Sequence, residues 1–380
     1  MGRRGPVVWG YHSEIGAYQA HPTGADMTAI ANPHLADPGT DDPAAVAPSD
    51  DFASLARRVR DAGLMTKRQG YYSVKIAATS SALLGLGTVG VLLGSSWWTS
   101  LVALGIAFTL AQLSFIAHDA GHRQVSRNRR RNHAIGLILS NLCAGFSFGW
   151  WLDKHNRHHA HTNRPGKDPD LEPGALAFTR DQVEARRGLP RWFARVQAVT
   201  LVPLLFLEAL NLHMASIVDL AQRRDRGVMI EAPLLTANAA VFFVAPFLVM
   251  GVWQAIVFVT VTQSAFGFYL GASFLTNHVG MPVQSAADDL DYLRRQILTS
   301  RNLRQRVLTG FMVGGLDAQI EHHLFPTMPR ANLKRARTLV RSFCDDESIS
   351  YTEASPWRAY ADVFAHLWTT GAPLRVPTSV

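Results

Sequence analysis

Four long apolar runs, arranged as two nearly contiguous pairs, constrain this chain more than anything else in it. The first pair covers roughly Val74 to Gly94 and Trp97 to Ala117; the second covers Pro233 to Met250 and Val252 to Thr276. A helix needs about 20 apolar residues to cross the hydrocarbon core of a bilayer. In lipid, helices and closed barrels are the structures that satisfy every backbone polar group. Only a Gly-Ser-Ser-Trp link separates the first two runs, and almost nothing separates the second two, so each pair reads as a helical hairpin. Only 17% of the 380 residues are charged and 48% are hydrophobic, whereas a soluble domain carries about a quarter charged residues. That deficit is concentrated between residues 74 and 277. The expected fold is an all-α membrane protein with four transmembrane helices as two hairpins and a cytoplasmic helical cap.

Two further stretches are too polar to read as spans. Ala134 to Leu152 contains Ser140, Asn141, Ser147 and several glycines, and Val196 to Ile217 is interrupted by Pro203, Glu208, Asn211 and His213. Both are expected to be interfacial or half-buried. Residues 1–50 are rich in Gly, Pro, Ala and Asp without apolar period and read as a disordered segment. They lack the apolar core of a signal peptide, and Met27 is an alternative start. Residues 51–345 then form the membrane domain and 346–380 a cytoplasmic tail.

The formal net charge is +8. Its basic clusters flank the apolar runs, which fits attraction to an anionic cytoplasmic leaflet better than nucleic-acid binding. The links near Ser95 and Gly251 hold no Lys or Arg. On the other side, Arg57, Arg58, Arg60, Lys67 and Arg68 precede the first hairpin, and Arg123, Arg127, Arg129, Arg130 and Arg131 follow it. Arg223, Arg224 and Arg226 precede the second hairpin, and Arg294 and Arg295 follow it. The positive-inside rule puts both termini and all basic loops in the cytoplasm, with the plasma membrane of a bacterium as the expected location. Trp97, Trp98, Trp150, Trp151 and Trp253 fall at run boundaries, where aromatic belts form. Cys143 and Cys344 suggest neither a disulfide framework nor a zinc site, which fits a reducing compartment.

The 15 histidines carry the chemistry. His118-Asp-Ala-Gly-His122 lies at the cytoplasmic end of the second run. His155-Asn-Arg-His158-His159 follows, with His161 as an optional addition. Gln319-Ile-Glu-His322-His323 is the third cluster, and His278 stands just past the fourth run. Spacings of three and four place these rings on one helical face, and the charge-based topology independently puts every cluster on one side of the membrane. That agreement requires the 134–152 stretch not to cross. Neutral imidazole suits iron, copper, zinc and nickel. Eight histidines (His118, His122, His155, His158, His159, His278, His322 and His323) suffice for two metals with open positions for dioxygen. Two irons can supply the electrons for attack on an unactivated C–H bond, whereas zinc, without redox chemistry, suits hydrolysis. The His-Glu-x-x-His signature of zinc proteases and the Glu-x-x-His pair of soluble di-iron bundles are both missing. His133, His213 and His366 read as ordinary interfacial or hydrogen-bonded residues.

These motifs, His-Asp-Ala-Gly-His, His-Asn-Arg-His-His-Ala-His-Thr-Asn and Gln-Ile-Glu-His-His-Leu-Phe-Pro, resemble the three boxes of the integral-membrane fatty acid desaturases over roughly residues 70–340. Gln in the first place of the third box resembles the front-end (delta-5/delta-6, linoleoyl-CoA-like) branch, and also actinobacterial acyl-CoA desaturases. The resemblance implies a di-iron centre ligated by the eight histidines. Gln319 would bind directly or through water, and Asp119, Asp168, Asp170 and Glu321 would support the ligands from behind. For Asp168 and Asp170, in Asp-Pro-Asp-Leu, a plain turn is the competing reading. It further implies dioxygen as co-substrate and a CoA- or lipid-linked acyl substrate gaining a cis double bond. Many front-end enzymes carry a fused cytochrome b5 domain marked by His-Pro-Gly-Gly. His21-Pro-Thr-Gly24 is a near miss without a partner haem ligand, so electrons are expected from a separate ferredoxin, cytochrome b5 or flavin reductase using NAD(P)H. A hydroxylase or ketolase with the same metal centre is the nearest alternative. A membrane metal transporter would need ionisable residues inside the spans, which hold almost none, and a zinc-dependent membrane hydrolase is a third possibility.

Overall fold

A computed structural model of the chain describes residues 49–285, 288, 290–304 and 307–375. Residues 1–48 of the expected disordered segment, with the His21 motif and Met27, and residues 376–380 lie outside them. Helix α1, Asp50–Asp61, starts at Ser49, whose side chain accepts from Phe52 N, and carries Asp50 and Asp51 in its first turn, where carboxylates complement the helix dipole. Its Phe52, Leu55, Ala56 and Val59, at helical spacing, are buried in the polar cap of the molecule.

Helices α2, Gln69–Leu93, and α3, Thr99–Gly121, form the first hairpin. Val228–Val249, here α9, and α10, Val252–His278, form the second. Both hairpins turn at glycine: Gly94 has φ +53°, and the Ser95 hydroxyl accepts from Gly251 N at 2.8 Å, which fastens the two tips together. Helices α3 and α10 are central and pack on each other, with Phe115, Phe258, Phe266 and Leu270 buried between elements. Helices α2 and α9 are peripheral and leave apolar side chains such as Leu84, Leu92, Leu248 and Val241 exposed, as lipid-facing helices do. The four spans thus begin and end near the expected runs, but α2 starts five residues earlier than Val74 and α3 runs on to Gly121. A helix needs no apolar residues once it has left the hydrocarbon, so hydropathy under-reads its ends.

Between the hairpins, α4 (Arg129–Leu137), a π-helical turn (Ile138–Ala144) and α5 (Phe148–His161) follow. The two limbs meet at 112°. Gly145, at φ +81°, makes the break, and a side chain there would strike Asn238 and His213. Helix α6, Arg180–Ala185, then leads to α7, Gly188–Leu205, and α8, Glu208–Gln222, which meet at 86°. Both stretches that read as too polar to span are therefore sharply bent at a break.

The cap consists of α11 (Tyr292–Leu298), strand β1 (Asn302–Leu303), α12 (Val307–Met312), α13 (Gln319–Leu324), α14 (Arg330–Asp346), strand β2 (Glu353–Ala354) and α15 (Pro356–Thr370). Among the described residues the two strands form one parallel pair, with Asn302 opposite Glu353. Helix α15 packs on α7 and on the end of α10: Val363 and Leu367 are buried with Ala198 and Leu201, and Tyr360 donates to Ala272 O.

Candidate metal centre

The centre is assembled where α3, α5, the end of α10 and α13 meet. His118 and His122 lie one turn apart at the end of α3. The Nδ1 of His118 is 3.2 Å from an Asp119 carboxylate oxygen, and the other oxygen is 2.8 Å from Arg330 and accepts from the Tyr72 hydroxyl at 2.9 Å. This group is buried throughout, so Asp119 is held by a cation on one side and directs a histidine on the other.

Helix α5 brings His155, His158 and His159 to the same point because its start is fastened from below. Ser147 caps it, and the buried Glu231 of α9 accepts from Ser147 Oγ (2.6 Å), Asn141 Nδ2 (3.1 Å) and Gly149 N (3.1 Å) while pairing with Arg223 at 3.0 Å. Gly149 is required here, since a Cβ would lie 2.6 Å from both the Arg223 and the Glu231 side chains. The Nδ1 of His158 is 3.0 and 3.1 Å from the two oxygens of Asp168. Asp168 also accepts from the backbone of Asn163 and of Asp170, so it is at once a turn former and a histidine anchor. Asp170 lies 3.4 Å from His158 Nδ1 and pairs closely with Lys154.

Helix α13 carries His322 and His323. The Nδ1 of His323 is 2.9 Å from Gln296 Oε1, and Gln296 Nε2 donates to His159 O. His278 Nδ1 faces the carbonyl of Thr299 at 3.1 Å, while its Nε2 is 2.9 Å from Gln319 Nε2. Asn277 donates to Gln319 Oε1. Glu321 on the same helix accepts from Asn302 and Tyr351 at 2.9 and 2.8 Å. It therefore braces α13 through the cap.

The result is two adjoining groups. Ring nitrogens of His118, His122, His155, His159 and His322 all lie within 4.8 Å of one another, and so do those of His158, His278 and His323. The groups touch where His159 stacks on His323, ring centres 4.1 Å apart. Nε2 of His118, His322 and His323 is buried without a hydrogen-bond partner among the described residues. Burial first, and neighbouring imidazoles second, hold His155, His159, His322 and His323 well below the usual histidine range. They are therefore neutral near neutral pH, the form that binds metal. His158 differs: burial opposes its protonation, but Asp168 and Asp170 outweigh it and raise its pKa.

All eight histidines singled out in the sequence thus come together, with Gln319 against His278, Asp119 on His118, and Asp168 and Asp170 on His158. His161 lies in neither group. His213 bonds Gly145 O and Gln263, and His366 bonds Phe178 O, as ordinary structural histidines. One expectation is corrected. Trp97, Trp98 and Trp253 are exposed near the hairpin tips, but Trp151 stacks on His155 at 4.6 Å instead of joining an aromatic belt, because the bend before α5 turns it inward. Sequence reasoning missed Tyr72, Gln296, Asn302 and Arg330. Only Arg330 lay near a signal, seven residues past His323.

Residues 95–355 match the fatty acid desaturase family, a span that takes in all three histidine clusters. The chain is 27% identical to a Delta(8)-fatty-acid desaturase of Euglena gracilis over 84% of this chain and 79% of that protein. It is 27% identical to the Delta(6)-fatty-acid desaturase fat-3 of Caenorhabditis elegans over 82% of this chain and 72% of that protein. Against an acyl-lipid (9-3)-desaturase of Physcomitrium patens the identity is 30%, over 66% of this chain but only 49% of the relative. The histidine groups fit the di-iron site typical of such enzymes. With four apolar helices beneath a buried cluster of imidazoles, and with this match across the clusters, the chain belongs to the fatty acid desaturase family: it is a multi-pass membrane oxidoreductase that desaturates fatty acyl chains.

Proposed function

We propose that His118, His122, His155, His159 and His322 hold one iron and that His158, His278 and His323 hold a second, with Gln319 beside the second directly or through water. The observation that carries this reading is the set of buried imidazole nitrogens without partners. An unpaired buried polar atom is costly, and a metal ion relieves that cost. Iron suits an all-imidazole set and, unlike zinc, has the redox chemistry that desaturation demands. Bound there, the iron pair would supply the two-electron activation of dioxygen needed to break C–H bonds. The chain's residues do the rest. Asp119, Asp168, Gln296 and the Thr299 carbonyl engage Nδ1 of His118, His158, His323 and His278, which fixes each ring with Nε2 as the metal-facing nitrogen, that of His278 lying beside Gln319. Glu321, Asn302 and Tyr351 hold α13 against the centre, and burial keeps bulk water from it.

The product of this reading is a cis double bond in a CoA- or lipid-linked acyl chain, with water as co-product. Electrons come from a separate ferredoxin, cytochrome b5 or flavin reductase using NAD(P)H. The active site and both termini face the cytoplasm; the arginines around both hairpins, and none at their tips, support this orientation. The test is expression, with a competent electron donor, in a host that lacks the activity, followed by mass spectrometry of the fatty acid methyl esters. A new cis-unsaturated acid is expected. An unchanged profile, or a hydroxylated product, would refute the reading.

A further inference from the structure

Beyond Glu321 and Tyr351, on the outer surface of the cap, a cavity of about 620 Å³ opens between β1, α14 and β2. Its walls are cationic. Lys334, Arg337 and Arg341 stand at helical spacing on one face of α14, and Arg304 faces them from the end of β1. The hydroxyl residues Thr338 and Ser342 complete that face. Two carboxylates also reach the rim: Glu353, paired with Arg341 at 2.8 Å, and Asp345. Four cations stand against these two carboxylates and Asp317, which pairs with Arg337 from behind, so one positive charge is left over in a concave site. Like charges three and four residues apart destabilise a helix; Asp317 and Glu353 offset Arg337 and Arg341, and Lys334 has no such partner among the described residues.

Arg337 makes the site a built one. Its side chain is 7% exposed and donates to Leu303 O (3.1 Å) and to Asp317 O, with the Asp317 carboxylate 3.6 Å away, yet its Nε is buried without a partner. Arg304 and Lys334 make no ion pair among the described residues. Guanidinium groups beside hydroxyl donors match phosphate oxygens. The setting also matters. Three residues after Arg304, α12 begins and exposes Leu308, Phe311 and Met312. Phe311 packs near Phe108 of α3 and lies under the Lys75 ammonium of α2. Close to the cavity in sequence, the cap therefore exposes an apolar surface.

We propose that this cavity binds a phosphate-bearing ligand at a site separate from the histidine centre. The chemistry is shared by an anionic phospholipid headgroup and a soluble organic phosphate. An occupant would neutralise the cationic face of α14 and tighten the β1–β2 pair, from which Asn302 reaches Glu321 and Ile320 N. The inference rests on this geometry alone and stands or falls independently of the metal assignment.

The full chain is reconstituted in nanodiscs of phosphatidylcholine, with and without phosphatidylglycerol. In parallel, the phosphatidylcholine sample is titrated with adenosine 3′,5′-bisphosphate or inorganic phosphate. Thermal unfolding and ligand binding are read at two salt concentrations. A stabilising shift with either probe is expected, weakened by salt and weakened roughly tenfold or more in affinity in the K334E/R341E variant. Where R341E unsettles β2, R304E/K334E serves instead. A shift from the lipid alone assigns a headgroup, and one from the soluble phosphates alone assigns a free phosphate. No shift from either, an equal shift in the charge-reversed chain, or a shift produced only by an acidic polypeptide such as polyglutamate overturns the proposal.

Discussion

The two histidine groups differ in how they are held. In the three-histidine group every Nδ1 is engaged, by Asp168, by the Thr299 carbonyl and by Gln296. In the five-histidine group only His118 has such a carboxylate anchor. There, Nδ1 of His122 and His159 is buried without a partner, and orientation comes from packing: Trp151 on His155, and His118, His122 and His159 each edge-on or tilted against His322. One half of the centre has more imidazoles than it needs to fix their angles one by one. The other has fewer and fixes each by a hydrogen bond. Redundant ligands and anchored ligands are two ways to preorganise a site, and substitutions should tell them apart.

The largest expected effect is loss of a ligand. His322→Ala and His278→Ala should both abolish product while the protein still inserts in the membrane, with iron per chain falling in each. Retained activity in either variant, by fatty acid profile and metal analysis, would remove that residue from the ligand set. Glu231→Ala should strike both halves together, because α5 supplies His155 and His159 to one and His158 to the other. The change leaves Ser147, Asn141 and Gly149 N without their shared acceptor, at about 1–3 kcal/mol for each buried group left unsatisfied, read as a lowered unfolding midpoint with loss of both irons. Loss of only one iron would mean that the halves are positioned separately.

Smaller and more discriminating is the removal of a hydrogen-bond anchor. Asp168→Asn should weaken iron binding by roughly 10- to 100-fold, and only in the three-histidine half. Trp151→Leu, which removes packing on the other side, should cost less than that; metal titration by absorbance compares them, and equal losses would erase the distinction. The mildest change is Gln319→His. It adds an imidazole beside His278 to the poorer half and should slow iron loss to a chelator a fewfold. Faster loss would show that Gln319 acts by its amide bonds to Asn277 and His278 instead of by its place.

The four spans and the eight histidines were legible because each signal is local. Hydropathy is read within one run, and ring pairs such as His118 and His122 share a helix face by spacing alone. The 112° bend was legible only in part: the polar residues of 134–152 argued against a crossing, but the Glu231 clamp that holds the bend lies some ninety residues on. The anchors were not legible. Gln296, Tyr72 and Arg330 reach their partners from distant parts of the chain, and a Gln or Tyr in a short polar segment carries no mark of what it will face. The same gap explains Trp151, whose position near a run boundary fits an aromatic belt as well as a histidine stack.

The parallel pairing of Asn302–Leu303 with Glu353–Ala354 sets a timetable for assembly. Asn302 of β1 holds both the Glu321 carboxylate and Ile320 N, so the element that presents His322 and His323 is braced by a strand whose own partner, β2, is made some thirty residues after His323. Ligands from α3 and α5 are synthesised long before that brace exists. On the ligand set proposed above, a chain whose C-terminal part is not yet made offers only part of the imidazole cage, and metal loading is expected to follow completion of the cap.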